Sequence, residues 1–152
     1  MGHQEITESK QEINSPFRAK SAGVSLIVVL TIGIYFITRL FSILPSDQAV
    51  PDGAIGLLIT TTILIIAVES VLQIVLFIGA GRIENRTERD DQIAALSTRN
   101  AYYLLVVGVF ASVGSLFLGF SAFEIISVLL IAFLLAEVVS FASQLVQYQR
   151  LS

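Results

Sequence analysis

The sequence contains no cysteine and a single histidine, His3. A disulfide, a thiolate metal site and a cysteine nucleophile are therefore excluded. Zinc, haem or histidine-based catalysis would need more ligands or bases than this chain offers. Charge is also scarce, because charged residues make up 14% of the 152 residues, against about 25% in a typical soluble domain. Since we also find no phosphate-binding loop and no Ser-His-Asp set, we predict no cofactor, no metal site and no enzymatic activity.

Long hydrophobic runs take the place of the missing charge, and 55% of the residues are hydrophobic. A helix needs about 20 apolar residues to cross the hydrocarbon core of a bilayer. Four runs meet this length, at roughly residues 22–41, 55–80, 101–119 and 123–146. We predict an all-α membrane protein whose four transmembrane helices form two hairpins. Residues 1–20 are expected to be a mobile cytoplasmic tail and 21–152 the transmembrane domain, with a cytoplasmic connector over 82–99 that continues as helix into the third span.

The positions of lysine and arginine predict how the four spans are oriented. Eight of the nine basic residues lie on one side of the predicted membrane: Lys10, Arg18 and Lys20 in the tail, Arg82, Arg86, Arg89 and Arg99 in the connector, and Arg150 at the end. Only Arg39 lies on the other side. Because basic loops stay in the cytoplasm, both termini and the connector are predicted to be cytoplasmic.

Two acidic residues lie inside the predicted spans at matching positions. Glu69 and Glu137 each precede an arginine by thirteen residues, which suggests a weak tandem duplication of the two hairpins. Helical spacing adds further polar residues to the same faces, so we predict an intramembrane polar seam of Glu69, Gln73, Glu137, Ser140 and Gln144. The seam has two interpretations: a proton or cation relay or substrate site, or hydrogen-bonded acids that hold helices together.

Polar and small residues elsewhere have similar alternatives. Arg39 and Glu124 are predicted near the outer surface, where they could pair or where Arg39 could extend to the headgroups by itself. Small residues recur at helical spacing in the third span (Gly108, Ser112, Ser115 and Gly119) and in the fourth (Ala132, Ala136 and Ser140). Such stripes allow close approach of helices, either within one monomer or between two copies.

The connector mixes both signs of charge, with the residues Arg86, Glu88, Arg89, Asp90, Asp91 and Arg99 among them. Its charges sum to zero, which argues against nucleic-acid binding. The segment is interpreted either as a solvated helix start or as a docking surface for a cytoplasmic partner.

Several segments carry a family resemblance. They are Thr87–Ile93, Arg99–Leu105, Leu135–Val139 and Gln144–Arg150. The chain resembles, over residues 82–150, an uncharacterised family of bacterial inner-membrane proteins, a domain of unknown function with a Glu-Arg-Asp connector and an Arg…Tyr-Tyr start of the third helix. Thr87 stands where the family usually has Asp or Glu, and Gln149 where a second basic residue is common. The resemblance implies a four-helix bacterial membrane protein and no particular activity.

We therefore expect an inner-membrane protein with a non-enzymatic accessory or regulatory role. Its expected partners are the lipid bilayer and either a second copy or another membrane or cytoplasmic protein. The alternative is a small proton- or cation-linked transporter or channel that uses the intramembrane carboxylates. A membrane enzyme is disfavoured, because the sequence presents no nucleophile and base as a set.

Overall fold

Four long helices account for nearly all of the described chain. The computed structural model describes the backbone of residues 2–44, 50–82 and 88–150, and the side chains of residues 20–44, 50–72, 74 and 91–150. The helices are α1 (Gly2–Ile43), α2 (Ala54–Arg82), α3 (Glu88–Phe117) and α4 (Ala122–Gln149). Each contains an apolar stretch long enough to cross a bilayer, and no strand occurs in the described ranges. The predicted fold class, an all-α membrane protein with four spans, is confirmed.

The first helix extends well beyond the predicted span. Helix α1 begins at Gly2 and is 42 residues long, so the residues predicted as a mobile tail are part of the same helix as the span from Gly2 onward. Straight-chain residues such as Gln4, Glu5 and Glu12 favour helix by their intrinsic propensity, even where they offer no apolar face. At 1.5 Å per residue α1 measures about 63 Å, roughly twice the hydrocarbon thickness. The mobility of its first turns stays a prediction.

The predicted continuation of the connector into the third span is confirmed. Helix α3 begins at Glu88 and runs without interruption to Phe117. Its first turns have two faces, since Ile93 and Ser97 are buried while Asp91 and Arg99 are exposed. Residues 83–87 of the predicted connector lie outside the described residues.

The turns that precede α2 and α4 each contain a glycine with positive φ. Gly53 (φ 83°) precedes α2, and Gly119 (φ 78°) follows α3. At the second turn the Gly119 N–H donates to the Leu116 carbonyl and the Phe120 N–H to the Ser115 carbonyl, both at 3.3 Å. This pattern is a Schellman motif, which ends a helix with a residue in the left-handed region. A turn this short returns the chain antiparallel to itself, so α3 and α4 form a hairpin.

The helices pack in the spatial order α2, α1, α4, α3. The extensive contacts are between α3 and α4, between α1 and α4, and between α1 and α2. One apolar core joins α1, α2 and α4, and consists of Val29, Ile32, Phe36, Leu40, Ala54, Leu57, Phe123 and Leu134. Leu40, Ala54 and Phe123 flank the turns and share this core, so both turns lie at one end of the bundle, here called the turn end. The opposite end is called the connector end.

Helix α3 joins the bundle by a different kind of contact. Ser112 and Ser115 are buried on its α4-facing side, and a Cβ added at Gly108 would meet the Ala132 side chain of α4. On α4, Ala132 and Ala136 are buried. The predicted small-residue stripes therefore pack α3 against α4 within one chain. Gly119, the last predicted member, instead forms the turn.

Candidate functional site: a pair of intramembrane carboxyl groups

The two acidic residues of the spans lie at the same height in the bundle. Glu69 lies fifteen residues after Ala54, where α2 begins, and Glu137 lies fifteen residues after Ala122, where α4 begins. With a rise of 1.5 Å per residue, both carboxyl groups are about 22 Å from the turn end. Both side chains are half-buried. Equal depth on two helices that start at the same end brings the acids to one level of the bundle.

The carboxyl groups of Glu69 and Glu137 lie close enough to interact. An ionised carboxylate can only accept hydrogen bonds, whereas a protonated carboxyl has one O–H to donate. A direct hydrogen bond between two such groups therefore needs one of them to be protonated. The arrangement is a pair of neighbouring acids on α2 and α4.

The remaining members of the predicted seam extend from this pair toward the connector end. Ser140 and Gln144 follow Glu137 on α4 at spacings of one and two turns, and both are half-buried. Gln73 lies one turn after Glu69 on α2, but its side chain is outside the described residues. Within the described part of the chain, Glu137 interacts with Glu69. The structure thus brings the two acids of the seam together.

At the turn end, Glu124 caps the helix that it begins. Ser121 is the N-cap of α4, and its backbone N–H donates to Glu124 Oε2 at 2.7 Å. The Ser121 hydroxyl donates to the same oxygen at 2.9 Å, and the Glu124 N–H donates back to the Ser121 hydroxyl at 3.3 Å. This reciprocal capping box was readable from Ser121-Ala122-Phe123-Glu124, a serine three residues before a glutamate at the start of an apolar run.

Arg39 lies on α1 with an exposed side chain. Its guanidinium carbon is 5.9 Å from the centre of the Tyr35 ring, a cation–π contact along one face of the helix. Among the described residues it forms no ion pair with Glu124, whose carboxylate is engaged by Ser121. The two residues that were predicted as outer-side charge therefore act separately, one as a helix cap and one beside an aromatic ring.

The connector residues are described only in part. Asp91 and Arg99 lie on the exposed face of α3. The backbones of Glu88, Arg89 and Asp90 belong to the first turn of α3, while their side chains and all of Arg86 lie outside the described residues. The described charged side chains at the connector end, Asp91 and Arg99, therefore lie on a helix.

Two buried hydroxyl groups were not predicted. Thr61 on α2 and Ser97 on α3 are each 0% exposed, and neither hydroxyl has a hydrogen-bond partner. Nothing in the sequence around Thr60-Thr61-Thr62 distinguishes the buried threonine from its exposed neighbours. The described residues contain no group of three or more His, Asp or Glu side chains that could hold a metal ion.

No family model, curated protein or solved structure matches this chain.

Proposed function

We propose that this multi-pass protein lies in a bacterial inner membrane with both termini cytoplasmic, and that it is a non-enzymatic accessory or regulatory protein of the resembled family. In this proposal the connector end of the bundle contacts a partner protein. The bias of basic residues toward that end supports the orientation. The resemblance over residues 82–150 supports the bacterial family.

The observation that carries the proposal is the form of the connector. A charged segment between two spans is ordinarily a loop, but here residues 88–100 are the first turns of α3. Ile93 and Ser97 fix one face of these turns to the bundle, while Asp91, Gln92 and Arg99 remain exposed on the others. A rigid helical face needs less ordering on binding than a loop, which favours its use as a docking surface.

Site-specific photocrosslinking in cells tests this proposal. A photoreactive side chain at Gln92 or Arg99 is expected to capture one identified protein, which the same group at Phe110 does not capture. Phe110 is the matched control because it is 72% exposed on the same helix, in the apolar part of the span. Adducts with only lipid or a second copy at all three positions would contradict the proposal.

A second candidate function has support from the carboxyl pair. Intramembrane acids that face one another hold a proton where water is scarce, and such sites occur in proton- and cation-linked transport. Glu69 and Glu137 are half-buried at one depth and lie close enough to interact. Under this proposal the protein is a small transporter or channel in which the pair exchanges its proton during transport.

Flux measurements in proteoliposomes test the second candidate. Replacing both acids (Glu69→Gln with Glu137→Gln) is expected to abolish proton- or cation-driven flux, because neither amide can release a proton. The matched control is Glu124→Gln, which changes an acid that caps α4 at the turn end. Flux that survives the double replacement, or no flux from the natural sequence, would contradict this candidate and leave the first.

A further inference from the structure

Arg39 is the one basic residue that the structure describes at the turn end of the bundle. The other described basic residues lie toward the connector end: Lys20, Arg99 and Arg150. Arg39 is exposed and belongs to the apolar stretch of α1 that is long enough to cross a bilayer. Its exposed neighbours on the helix are apolar, since Ile37 is 40% and Phe41 68% exposed. The Arg39 side chain therefore leaves the bundle on a surface that faces lipid.

The depth of Arg39 places its charge near the edge of the hydrocarbon. Arg39 lies four residues before Ile43, where α1 ends, and Tyr35 lies one turn deeper. With a rise of 1.5 Å per residue, the Arg39 Cα is about 6 Å from the end of the helix and the Tyr35 Cα about 12 Å. A guanidinium group stays charged in proteins. From this depth the long side chain of an arginine reaches the lipid headgroups of the nearer leaflet.

Within the described ranges, no carboxylate is paired with Arg39. The Glu124 carboxylate accepts hydrogen bonds from Ser121, and Asp52 is exposed in the turn before α2. The described contact of Arg39 is with the Tyr35 ring, whose centre is 5.9 Å from the guanidinium carbon. A ring occupies one flat face of a guanidinium group and leaves the N–H groups on its edge for an anion. The anion that lies at this depth in every bilayer is the phosphate of a lipid.

We propose that Arg39 and Tyr35 form a binding site for the phosphate group of a phospholipid with an anionic headgroup, in the leaflet at the turn end. The guanidinium group donates two parallel hydrogen bonds to two phosphate oxygens. The Tyr35 ring holds the guanidinium group in place through the cation–π contact. In a zwitterionic lipid the phosphate has a cation of its own headgroup beside it, whereas an anionic headgroup leaves that charge to the protein. The site therefore selects its lipid by charge.

The surrounding charge makes this selectivity a local property of the site. Besides Arg39, the described charged residues at the turn end are Asp52 and Glu124, and both are acidic. Carboxylates repel an anionic lipid, and the other described basic residues lie near the opposite leaflet. An excess of anionic lipid beside Tyr35 thus requires Arg39 itself. The inference rests on the membrane-spanning fold, on neither proposed function, and on neither orientation of the bundle.

Fluorescence quenching by brominated lipids tests the site, because the chain contains no tryptophan. In Tyr35→Trp the reporter keeps an aromatic ring beside Arg39 and is quenched by the lipid bound there. Phe110→Trp is the matched control, since Phe110 is 72% exposed on α3 and lies seven residues before the end of its helix, as Tyr35 lies eight before the end of α1. In phosphatidylcholine vesicles, brominated phosphatidylglycerol and brominated phosphatidylcholine are compared at equal fractions. The anionic lipid is expected to be preferred several-fold at Tyr35→Trp, and the two lipids are expected to quench Phe110→Trp equally.

Two replacements of Arg39 assign the preference to its side chain. In the Tyr35→Trp background, Arg39→Gln is expected to abolish the preference for phosphatidylglycerol. Arg39→Lys keeps the charge but lacks the planar, paired N–H groups, so it is expected to retain a smaller preference that falls as salt is raised. In the Phe110→Trp background, Arg39→Gln is expected to leave quenching unchanged, which verifies that the variant still spans the bilayer. If Arg39→Gln does not insert, the result for Arg39→Lys decides.

Three results would overturn the inference. Equal quenching by the two lipids at Tyr35→Trp would mean that no anionic lipid is selected, as when a carboxylate of a second copy binds Arg39. A preference that survives Arg39→Gln would place the anionic lipid on other groups. An undiminished preference in Arg39→Lys would show that charge alone attracts the lipid, without the geometry of the guanidinium group. None of these results depends on whether flux or a partner is found.

Discussion

Hydroxyl groups within the helices of this bundle differ in whether they donate a hydrogen bond to a carbonyl of the same helix. The Thr62 hydroxyl donates to the Leu58 carbonyl at 2.8 Å on an exposed face. The hydroxyl of its neighbour Thr61 does not, because it is buried without a partner. A buried polar group that lacks a partner costs free energy, while an apolar group of the same shape does not. Residues adjacent in sequence can thus contribute with opposite sign to stability.

The first prediction follows from Thr61. Replacing it with valine keeps the branched shape and removes the unpartnered hydroxyl, so Thr61→Val is expected to raise the free energy of unfolding by about 1 kcal/mol. Unfolding by denaturing detergent in mixed micelles measures the change. Thr62→Val is the control on the same turn and is expected to change stability by less than about 0.5 kcal/mol. A destabilised Thr61→Val protein would show that the hydroxyl has a stabilising role.

Gly119 has a backbone conformation that side chains disfavour. Its φ of 78° lies in the left-handed region, where an alanine costs roughly 1–2 kcal/mol. We expect Gly119→Ala to destabilise the α3–α4 hairpin by about that amount in the same unfolding assay. Gly119→Asn is the control, because asparagine tolerates this conformation better than alanine. Since no heavy atom lies within 4 Å of an added Cβ at Gly119, equal losses for both variants would contradict a cause in the backbone.

At the scale of elements, α4 is the helix on which the bundle is built. One side of α4 faces α1 with large apolar side chains such as Phe123 and Leu134, and the other faces α3 with Ala132 and Ala136. Large side chains interdigitate at a distance, whereas small ones let helix backbones approach closely. Close approach makes the α3–α4 contact sensitive to single added carbon atoms.

A pair of glycines on α3 tests this sensitivity. In Gly108→Ala the new Cβ would meet the Ala132 side chain and lie 3.4 Å from its Cα, so α3 and α4 must separate. We expect a loss of about 1–3 kcal/mol from overpacking. Gly114→Ala is the matched control, because an added Cβ there has no neighbour within 4 Å. It is expected to be neutral or to stabilise by up to about 1 kcal/mol through helix propensity. Equal effects at the two positions would show that α3 and α4 do not approach as described.

The helices themselves were predictable, because a run of apolar residues of sufficient length crosses a bilayer whatever its periodicity. Which face of each helix packs against another helix was not predictable. In water an apolar stripe reveals the buried face of a helix, but lipid is as apolar as a neighbouring helix. Leu57 and Ile59 on α2 are chemically alike, yet the first is 6% and the second 54% exposed. The sequence therefore could not predict which face of α2 packs on α1.

For the carboxyl pair, the depth in the bilayer was predictable but the contact between the two side chains was not. Charged residues are rare within a transmembrane span, so Glu69 and Glu137 stand out in the sequence. Counting residues along each helix then places both at one depth. That their side chains meet depends on the rotation of both helices, which counting does not determine. Of the two alternatives for Arg39, pairing with Glu124 is not seen among the described residues, since the Glu124 carboxylate accepts hydrogen bonds from the nearer Ser121.

In the molecule as a whole, the two hairpins have similar turns and an acid at the same position, but their helices pack in different ways. Each second helix follows a turn that contains a positive-φ glycine, and each places an acid fifteen residues after its start. The two helices of the first hairpin pack on each other through large apolar side chains, whereas the two helices of the second pack on each other through small ones. Shared positions with divergent contacts are consistent with the hypothesis of tandem duplication, which stays a prediction. The acids meet across the hairpins, so a repeat would place its two copies of one residue in a single site.

The orientation of the whole bundle is open to direct labelling, because a chain without cysteine gives no background. Asp52 is exposed at the turn end and Arg99 is exposed at the connector end, with α2 and the start of α3 between them. The excess of Lys and Arg around the connector predicts that Arg99 faces the cytoplasm and Asp52 the outside. A membrane-impermeant maleimide is therefore expected to label Asp52→Cys in intact cells, and Arg99→Cys only after the membrane is permeabilised. Labelling of both from outside would mean that α2 does not cross the bilayer, and labelling of Arg99→Cys alone would mean that the bundle is inserted the other way round. In either case the carboxyl pair would lie at a different distance from the cytoplasm than the bias of basic residues predicts.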